Sequence, residues 1–580
     1  MIFRQSSRTQ QCTIILLLSA IILIPFLSLS YVFQASEARE GSVVQEILRS
    51  GNFIFPLRNG DIVPSKPLLF HWISAGLAML LGQFNEFVLR FPSALAAIGA
   101  VLVIFLFLKK LVSDESAYIG ALIMLSTYVF VHLAQDGRVD MVHSLFVWSA
   151  ICYWIYCFAT ESHNGKHPEK VSGRAYSVVA ILCGLASLAK GPVGFVIPVI
   201  VICSTVCVEC GIAKLNSVFR IQWLWGIAVI LPWYLSSAYF GGDSFIARQL
   251  LFENISRFVG GDGITVKPFW FYLVHFWGQL APWSVLLAAF GCLFLRKKER
   301  AALGKTLSNW KTRFTLRAGI TWLVSILVFI SLSSGKRRAY LLIVVPAVCI
   351  ILSVIIPFFK NSVEKWLHRQ RKNKSVFWIP IAVLLIIAGC FTILVEGCSW
   401  EILSGVVSTD VGRATLQSVC KVGEGSLLLA IYFVGFVNCV INFYYLAIKA
   451  KSGKFLFLSW FCFAELVLIV FVNFGIAVKS ATHTYADFAQ QVHASLPEDK
   501  KLTIVKKLSD ESLEGFLFYF DKRVKMQSPR EVPAQPGYYL VRKSWLEQSG
   551  YKYSRQFDQI IEGGRIVDED AERLILIRAR

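Results

Sequence analysis

Charge is scarce in this chain of 580 residues. Asp, Glu, Lys and Arg make up 16% of it, against roughly 25% in soluble domains, while hydrophobic residues reach 56%. That balance excludes a soluble enzyme. Acids are scarcer than bases, 37 against 58, giving a formal net charge of +21. The excess is dispersed in short segments between apolar blocks rather than gathered on one globular face, so it speaks for membrane orientation and against a nucleic-acid partner. Metal-type cysteine spacing is missing. Cys203, Cys207 and Cys210 lie along one apolar segment and its end, where small polarizable side chains pack. The apolar stretch 13–33 ends in Tyr31-Val32-Phe33-Gln34 with no small-residue cleavage pattern, and reads as a retained first span rather than a leader. No internal repeat is evident, which withholds support from repeat-built transporters.

What is present is a series of apolar blocks: 13–33, 87–108, 117–133, 141–158, 176–188, 193–208, 221–240, 270–295, 318–331, 340–358, 376–395, 426–448 and 455–474. They predict about 13 spans of the roughly 17–25 residues that a bilayer requires. The expected fold class is mainly α: a polytopic transmembrane helical bundle with amphipathic surface helices in the first exofacial loop and a small C-terminal α/β domain. Lys109-Lys110 and the basic stretches 296–317, 360–374 and 449–454 fall on alternate sides as cytoplasmic loops should. The N-terminus is then cytoplasmic, and the loops 34–86 and 241–269 are exofacial. The same reading divides the chain into a membrane domain, 1–480, and an exofacial domain, 481–580. That last segment carries a helical stretch, Tyr485–Ser495, and strand candidates Leu502–Val505, Gly537–Val541 and Leu574–Ile577. Cys398 and Cys420 bracket an exofacial loop where a disulfide could persist.

In the first large loop, Val43, Val44, Ile47 and Leu48 recur at helical spacing, with Ser36 a natural N-cap and Gly51 a natural stop. A short amphipathic helix at the membrane surface is expected there. Glu37 then sits in its first turn, where the helix dipole and nearby Arg39 favour the ionised carboxylate. It reads either as a plain capping acid or as a poised base. Asn59-Gly60-Asp61 makes a turn. Lys66 precedes Pro67 and is therefore extended, presenting an ammonium to lipid phosphates or anchoring the chain at the interface.

More charge gathers on the same predicted side: Asp136, Arg138, Asp140, Lys190, Glu253, Arg257, Lys267 and the run Lys336-Arg337-Arg338 before Tyr340. Cations kept on the side that the positive-inside trend disfavours ask for an anionic ligand, and a phosphate is the simplest one.

At these residues the sequence resembles the C-type glycosyltransferases that use polyprenyl-phosphate sugars, in the branch of the lipid A aminoarabinose transferases and protein O-mannosyltransferases. The matching pieces are Glu37-Ala38-Arg39, Gly60 to Leu68, Arg90-Phe91-Pro92-Ser93, Arg138 to Met141, Gly184 to Pro198, Pro232-Trp233-Tyr234, Lys267 to Trp270 and Lys336 to Pro346. The resemblance implies an inverting hexosyl- or pentosyltransferase of the bacterial inner membrane. It would move sugar from a polyprenyl-phosphate donor to lipid A, another envelope glycan or protein. The resemblance also implies Glu37 and Asp140 as catalytic carboxylates, with Arg39, Lys66, Lys190, Lys336, Arg337 and Tyr340 on the lipid phosphate. Glu253, Arg257 and Lys267 are further candidates. Two departures argue against a Glu/His site for a divalent metal: Ser65 stands where the family has Glu, and Asn254 where it has His. The competing reading is a transporter or flippase of lipid-linked sugars.

Overall fold

The computed structural model describes residues 7–32, 34–162, 171–260, 266–294, 309–370, 480, 483–505, 513–527, 536–548, 557–565 and 573–579. The predicted spans 376–395, 426–448 and 455–474, and the Cys398–Cys420 pair, lie outside these residues.

The first ten helices, α1 to α10, run Arg8–Leu23, Ala35–Ser50, Leu69–Leu81, Glu86–Leu111, Asp114–Leu125, Tyr128–Ala134, Val139–Glu161, Gly173–Lys190, Val193–Cys210 and Leu224–Phe245. Among the described residues, seven helices are long and apolar enough to cross a bilayer, or eight if α5 and α6 form one bent span. The chain is thus a multi-pass membrane protein.

Several apolar blocks differ in shape from their sequence reading. The block 117–133 bends by 66° between α5 and α6. At that bend Ser126 and Thr127 turn their hydroxyls back onto the carbonyls of Leu122 and Ile123, 2.6 Å each, which gives buried side chains of a broken helix their partners. The block 270–295 is two helices, Phe271–Gln279 and Trp283–Phe294, divided at Pro282. The expected loop 241–269 is instead helical as far as Val259, turning at Gly242 (φ 50°) into an 11-residue π-helix, Ile246–Ser256. Gly241-Gly242 reads as a turn signal, but Gly241 packs tightly: a Cβ on it would lie 2.5 Å from the Phe55 ring.

The amphipathic helix of the first loop is α2. It begins at Ala35, with Gln34 rather than Ser36 at the N-cap position and no side-chain cap. Gly51 ends it in the left-handed conformation that glycine adopts without strain (φ 68°). Val43, Val44 and Ile47 are fully buried. What covers α2 is the C-terminal unit as well as the bundle. A Cβ on Gly41 would meet the ring of Phe518 at 2.5 Å.

That unit carries a five-stranded sheet: β1 Leu502–Val505, β2 Lys525–Gln527, β3 Gly537–Arg542, β4 Phe557–Gly563 and β5 Leu574–Ala579, in the order β2-β1-β3-β5-β4. β1 is parallel to β2 and β3, whereas β5 runs antiparallel to β3 and β4. Helices Ala486–Ser495 and Glu514–Phe520 cover one face through Phe488, Phe516 and Phe520. Sequence periodicity found the helix and three strands; β2 and β4 escaped it because β2 has three residues and β4 is half-exposed with no buried alternation.

A candidate active site at one end of the helices

Two turns frame the site. At Asn59-Gly60 both residues adopt positive φ (59° and 90°), a tight reversal that pairs Arg58 with Ile62. The chain then runs without helix through Pro64-Ser65-Lys66-Pro67 into α3, as the proline steric rule leads one to expect. The second turn, Asp136-Gly137-Arg138, separates α6 from α7.

Glu37 is held from three directions. Arg90 donates to it from Nε at 2.6 Å and from Nη2 at 3.0 Å, and the Gly137 N–H donates at 2.9 Å. Arg90 also donates to the carbonyls of Leu27 and Ser30, at 2.8 and 2.7 Å. The partner of Glu37 is thus Arg90 of α4, not Arg39, and both carboxylate oxygens are engaged in a buried joint between α2, α4 and the 136–138 turn. Arg39 instead lies 3.8 Å from Glu40.

Asp140, in the first turn of α7, accepts from Lys190 at 2.6 Å and pairs with Arg138 at 3.0 Å. Lys190 Nζ also sits 5.1 Å above the Tyr340 ring, which brings the end of α8 against the Arg338–Val344 turn. Lys66 donates to Glu253 at 2.7 Å, and Arg257 and Arg248 lie 3.2 and 3.4 Å from the same carboxylate. The Gln249 amide fastens the π-helix to the Pro64 carbonyl at 2.6 Å. The charges of Lys190, Lys66, Arg337 and Arg257 all act on the Tyr340 phenol, and Lys190 lies against its ring.

Positive charge is in excess here. Burial is the largest influence on Lys66 and lowers its pKa; Glu253 opposes this, and Arg257 adds to the lowering. Arg337 is lowered in the same way, first by burial and then by Arg257. Cations that destabilise one another in a partly desolvated place gain by binding an anion.

Lys336 stands aside from this cluster. Its ammonium donates to the backbone carbonyls of Lys267, at 3.0 Å, and Ser333. Lys267 Nζ lies 4.8 Å from the Phe271 ring centre. The Lys336 ammonium on the Lys267 carbonyl, with the Lys267 N–H on the Ser334 carbonyl at 3.4 Å, holds the 333–338 segment against the chain that follows the π-helix.

Sequence reasoning missed Glu40 and His71, which meet at 2.8 Å in full burial. Burial works to raise the Glu40 pKa, but the His71 hydrogen bond and charge, then Arg39 and Lys66, hold it at about 2. Arg90 and Arg248 were missed as well. A signal for Arg90 existed, since an arginine one turn into an otherwise apolar spanning helix demands a buried partner.

A divalent ion does not fit Ser65 and Asn254, the residues that stand where the resemblance places Glu and His. Ser65 Oγ is buried without a hydrogen-bond partner, and Asn254 turns its amide to the Gln249 carbonyl at 2.5 Å. Two neutral side chains supply little of the charge such an ion takes from carboxylate and imidazole. Among the described residues no three His, Cys, Asp or Glu side chains converge.

The family described as dolichyl-phosphate-mannose-protein mannosyltransferase matches residues 65–239. The chain is 26% identical over 367 residues to the undecaprenyl phosphate-alpha-4-amino-4-deoxy-L-arabinose arabinosyl transferase of Shewanella sediminis, covering 62% of each chain. It is 29% identical over 323 residues to an uncharacterized protein of Aquifex aeolicus, covering 56% of this chain and 67% of that one. The match to the arabinosyl transferase therefore spans less than two thirds of that protein's length. In three dimensions the chain superposes on the crystal structure of ArnT from Cupriavidus metallidurans bound to undecaprenyl phosphate, with a TM-score of 0.70, 15% identity and 98% of both chains covered. The chain is thus similar in sequence to aminoarabinose transferases and to the protein mannosyltransferase family model, and it shares the fold of the ArnT crystal structure.

Proposed function

We propose that the protein is a glycosyltransferase of the bacterial inner membrane that moves a sugar from a polyprenyl-phosphate donor to an envelope acceptor. Lipid A or another lipopolysaccharide glycan is the leading acceptor, and protein the next. The N-terminus is cytoplasmic, while the site and the C-terminal domain, 481–580, face the periplasm. The observation that carries this reading is the crowding of cations at one end of the helices: Lys190 and Arg138 on Asp140, Lys66, Arg257 and Arg248 on Glu253, and Lys190 5.1 Å over the Tyr340 ring. A lipid-borne phosphate is the anion available at a membrane surface, and the sequence and fold relatives speak for the same chemistry.

The reaction needs few parts. An acceptor oxygen attacks the anomeric carbon, forming the new glycosidic bond as the bond to the phosphate oxygen breaks on the opposite face. The polyprenyl phosphate leaves as an anion, stabilised by Lys66, Lys190 and Arg337. Inversion follows from a single displacement. Asp140 is the carboxylate that orients the acceptor and takes its proton, once incoming phosphate draws Lys190 away from it. Glu37 acts through position: it fixes α2, and with it Arg39 and Glu40, at the rim of the site. Glu253 holds Lys66 and Arg257 at their spacing until the donor arrives.

The test is transfer in membranes supplied with an undecaprenyl-phosphate sugar. Lys66→Ala and Asp140→Asn should each lower turnover by about 10²-fold or more with normal expression, as the loss of a stabilising cation or a general base does. Full transfer in both variants would sink the assignment.

A further inference from the structure

A groove of about 480 Å³ opens between α9 and α10, running from Phe195 in the first turn of α9 to the connection 218–223. Phe195 and Val199 form one wall, Ile227 and Ile230 the other, and the connection 218–223 closes its end. The position follows from local contacts. A Cβ on Gly173, the first residue of α8, would lie 3.0 Å from Gln222, so the connection is level with the start of α8. Lys190 terminates the same 18-residue helix, about 27 Å away at 1.5 Å per residue. Phosphate at Lys190 and a group at the end of this groove are therefore separate ligands.

Among the described residues, one charged side chain lines the groove. Arg220 donates from Nε to the Ser217 carbonyl at 3.0 Å, and its guanidinium lies 5.5 Å over the Tyr176 ring. Its Nη2 is buried and has no protein hydrogen-bond partner. Among the described residues, Glu161 accepts from the Ser172 N–H at 2.8 Å and Glu209 pairs with Arg317 at 2.6 Å. Exposed Lys214 and Arg174 add positive charge, while Phe219, Ile221, Leu224 and Trp225 are exposed beside the groove and form an apolar margin. A buried guanidinium nitrogen costs free energy until it meets an acceptor, and apolar walls in a spanning region suit an acyl chain.

We infer that this groove is a binding site for an anionic phospholipid, with one acyl chain between α9 and α10 and the headgroup phosphate on Arg220. The chemistry selects the ligand: a molecule that fills an apolar groove and answers an unpaired cation at the interface must be both acylated and anionic. The positive-inside distribution puts this end of the bundle in the leaflet where anionic lipids attract basic residues by about 1 kcal/mol each, roughly a fivefold preference.

The experiment is native mass spectrometry of the full-length detergent-solubilised protein, titrated with dioleoyl phosphatidylglycerol or with dioleoyl phosphatidylcholine, which has the same chains. The wild type should retain phosphatidylglycerol about fivefold more than phosphatidylcholine. Arg220→Gln should level the two, and Val199→Trp, which fills the groove while keeping the guanidinium, should lower retention of both. Equal retention by the wild type, a preference that survives Arg220→Gln, or retention unaltered by Val199→Trp would each overturn the site. Because retention is read as the lipid-bearing fraction of all folded ions, a poorly folding variant does not imitate the expected result.

Discussion

Glu37 and Arg90, 53 residues apart in sequence, form a two-point buried ion pair at 2.6 and 3.0 Å. The pair joins the first loop helix to the first long spanning helix. Removing one partner leaves a buried charge with nothing to answer it, at a cost of about 3–5 kcal/mol. Glu37→Gln should therefore lower the thermal midpoint and the membrane yield, and Arg90→Met should do the same. Unaltered stability in Glu37→Gln together with lost transfer would instead make Glu37 a reacting group.

The same logic reaches the C-terminal domain. Arg58 in the first loop pairs with Glu514, both buried, and Asn59 exchanges hydrogen bonds with the Val524 backbone at 2.9 and 2.8 Å. Gln45 donates to the Phe518 carbonyl at 2.9 Å, and Tyr519 OH to Glu86 at 2.8 Å. Glu514→Ala should thus release the loop that carries Lys66, seen as faster proteolysis or hydrogen exchange across 52–68. A double-mutant cycle with Arg58→Ala should return a coupling of about 1–3 kcal/mol.

Gly41 offers a steric version of that test. Since a Cβ there would be 2.5 Å from the Phe518 ring, Gly41→Val must push the two elements apart. Overpacking of this kind costs about 1–3 kcal/mol. Adding Phe518→Ala should recover part of the lost stability, measured by thermal unfolding of the pair.

Asp136 sets a pH dependence. It lies between α6 and α7, is 3% exposed, and both its oxygens lack hydrogen-bond partners, with Arg138 3.6 Å away. Burial and then the charge of Glu37 push its pKa from an ordinary 3.8 to about 7, with Arg138 and Arg90 pulling down and Asp140 adding to the rise. The sign follows from linkage. Below 3.8 the acid is neutral folded or unfolded, and it costs nothing. Between 3.8 and about 7 the unfolded chain releases the proton while the folded one keeps it, so stability falls as pH rises, and above about 7 the full penalty is present. Asp136→Asn should flatten the change in thermal midpoint between pH 5 and 8. A slope identical to the wild type would refute the assignment.

The sequence by itself determined the class of protein and the local elements. Apolar blocks made it a membrane bundle, helical spacing of Val43, Val44 and Ile47 with Gly51 behind them gave α2, and runs of β-branched and aromatic residues marked β1, β3 and β5. These are short-range properties, written into periods of 3.6 and 2 residues and into the few residues that stop them. It also singled out Asp140, Lys190, Lys66, Glu253 and Arg257, which the structure joins in two clusters, because cations on the disfavoured side are conspicuous. What only the tertiary structure decided is who faces whom. Glu37 turned from its neighbour Arg39 to Arg90, Lys66 met Glu253 across 187 residues, and the supposed loop after Gly242 became the π-helix that carries Glu253. An ion pair in a low-dielectric interior is fixed by which helices pack together, and nothing in the local chain encodes that partner.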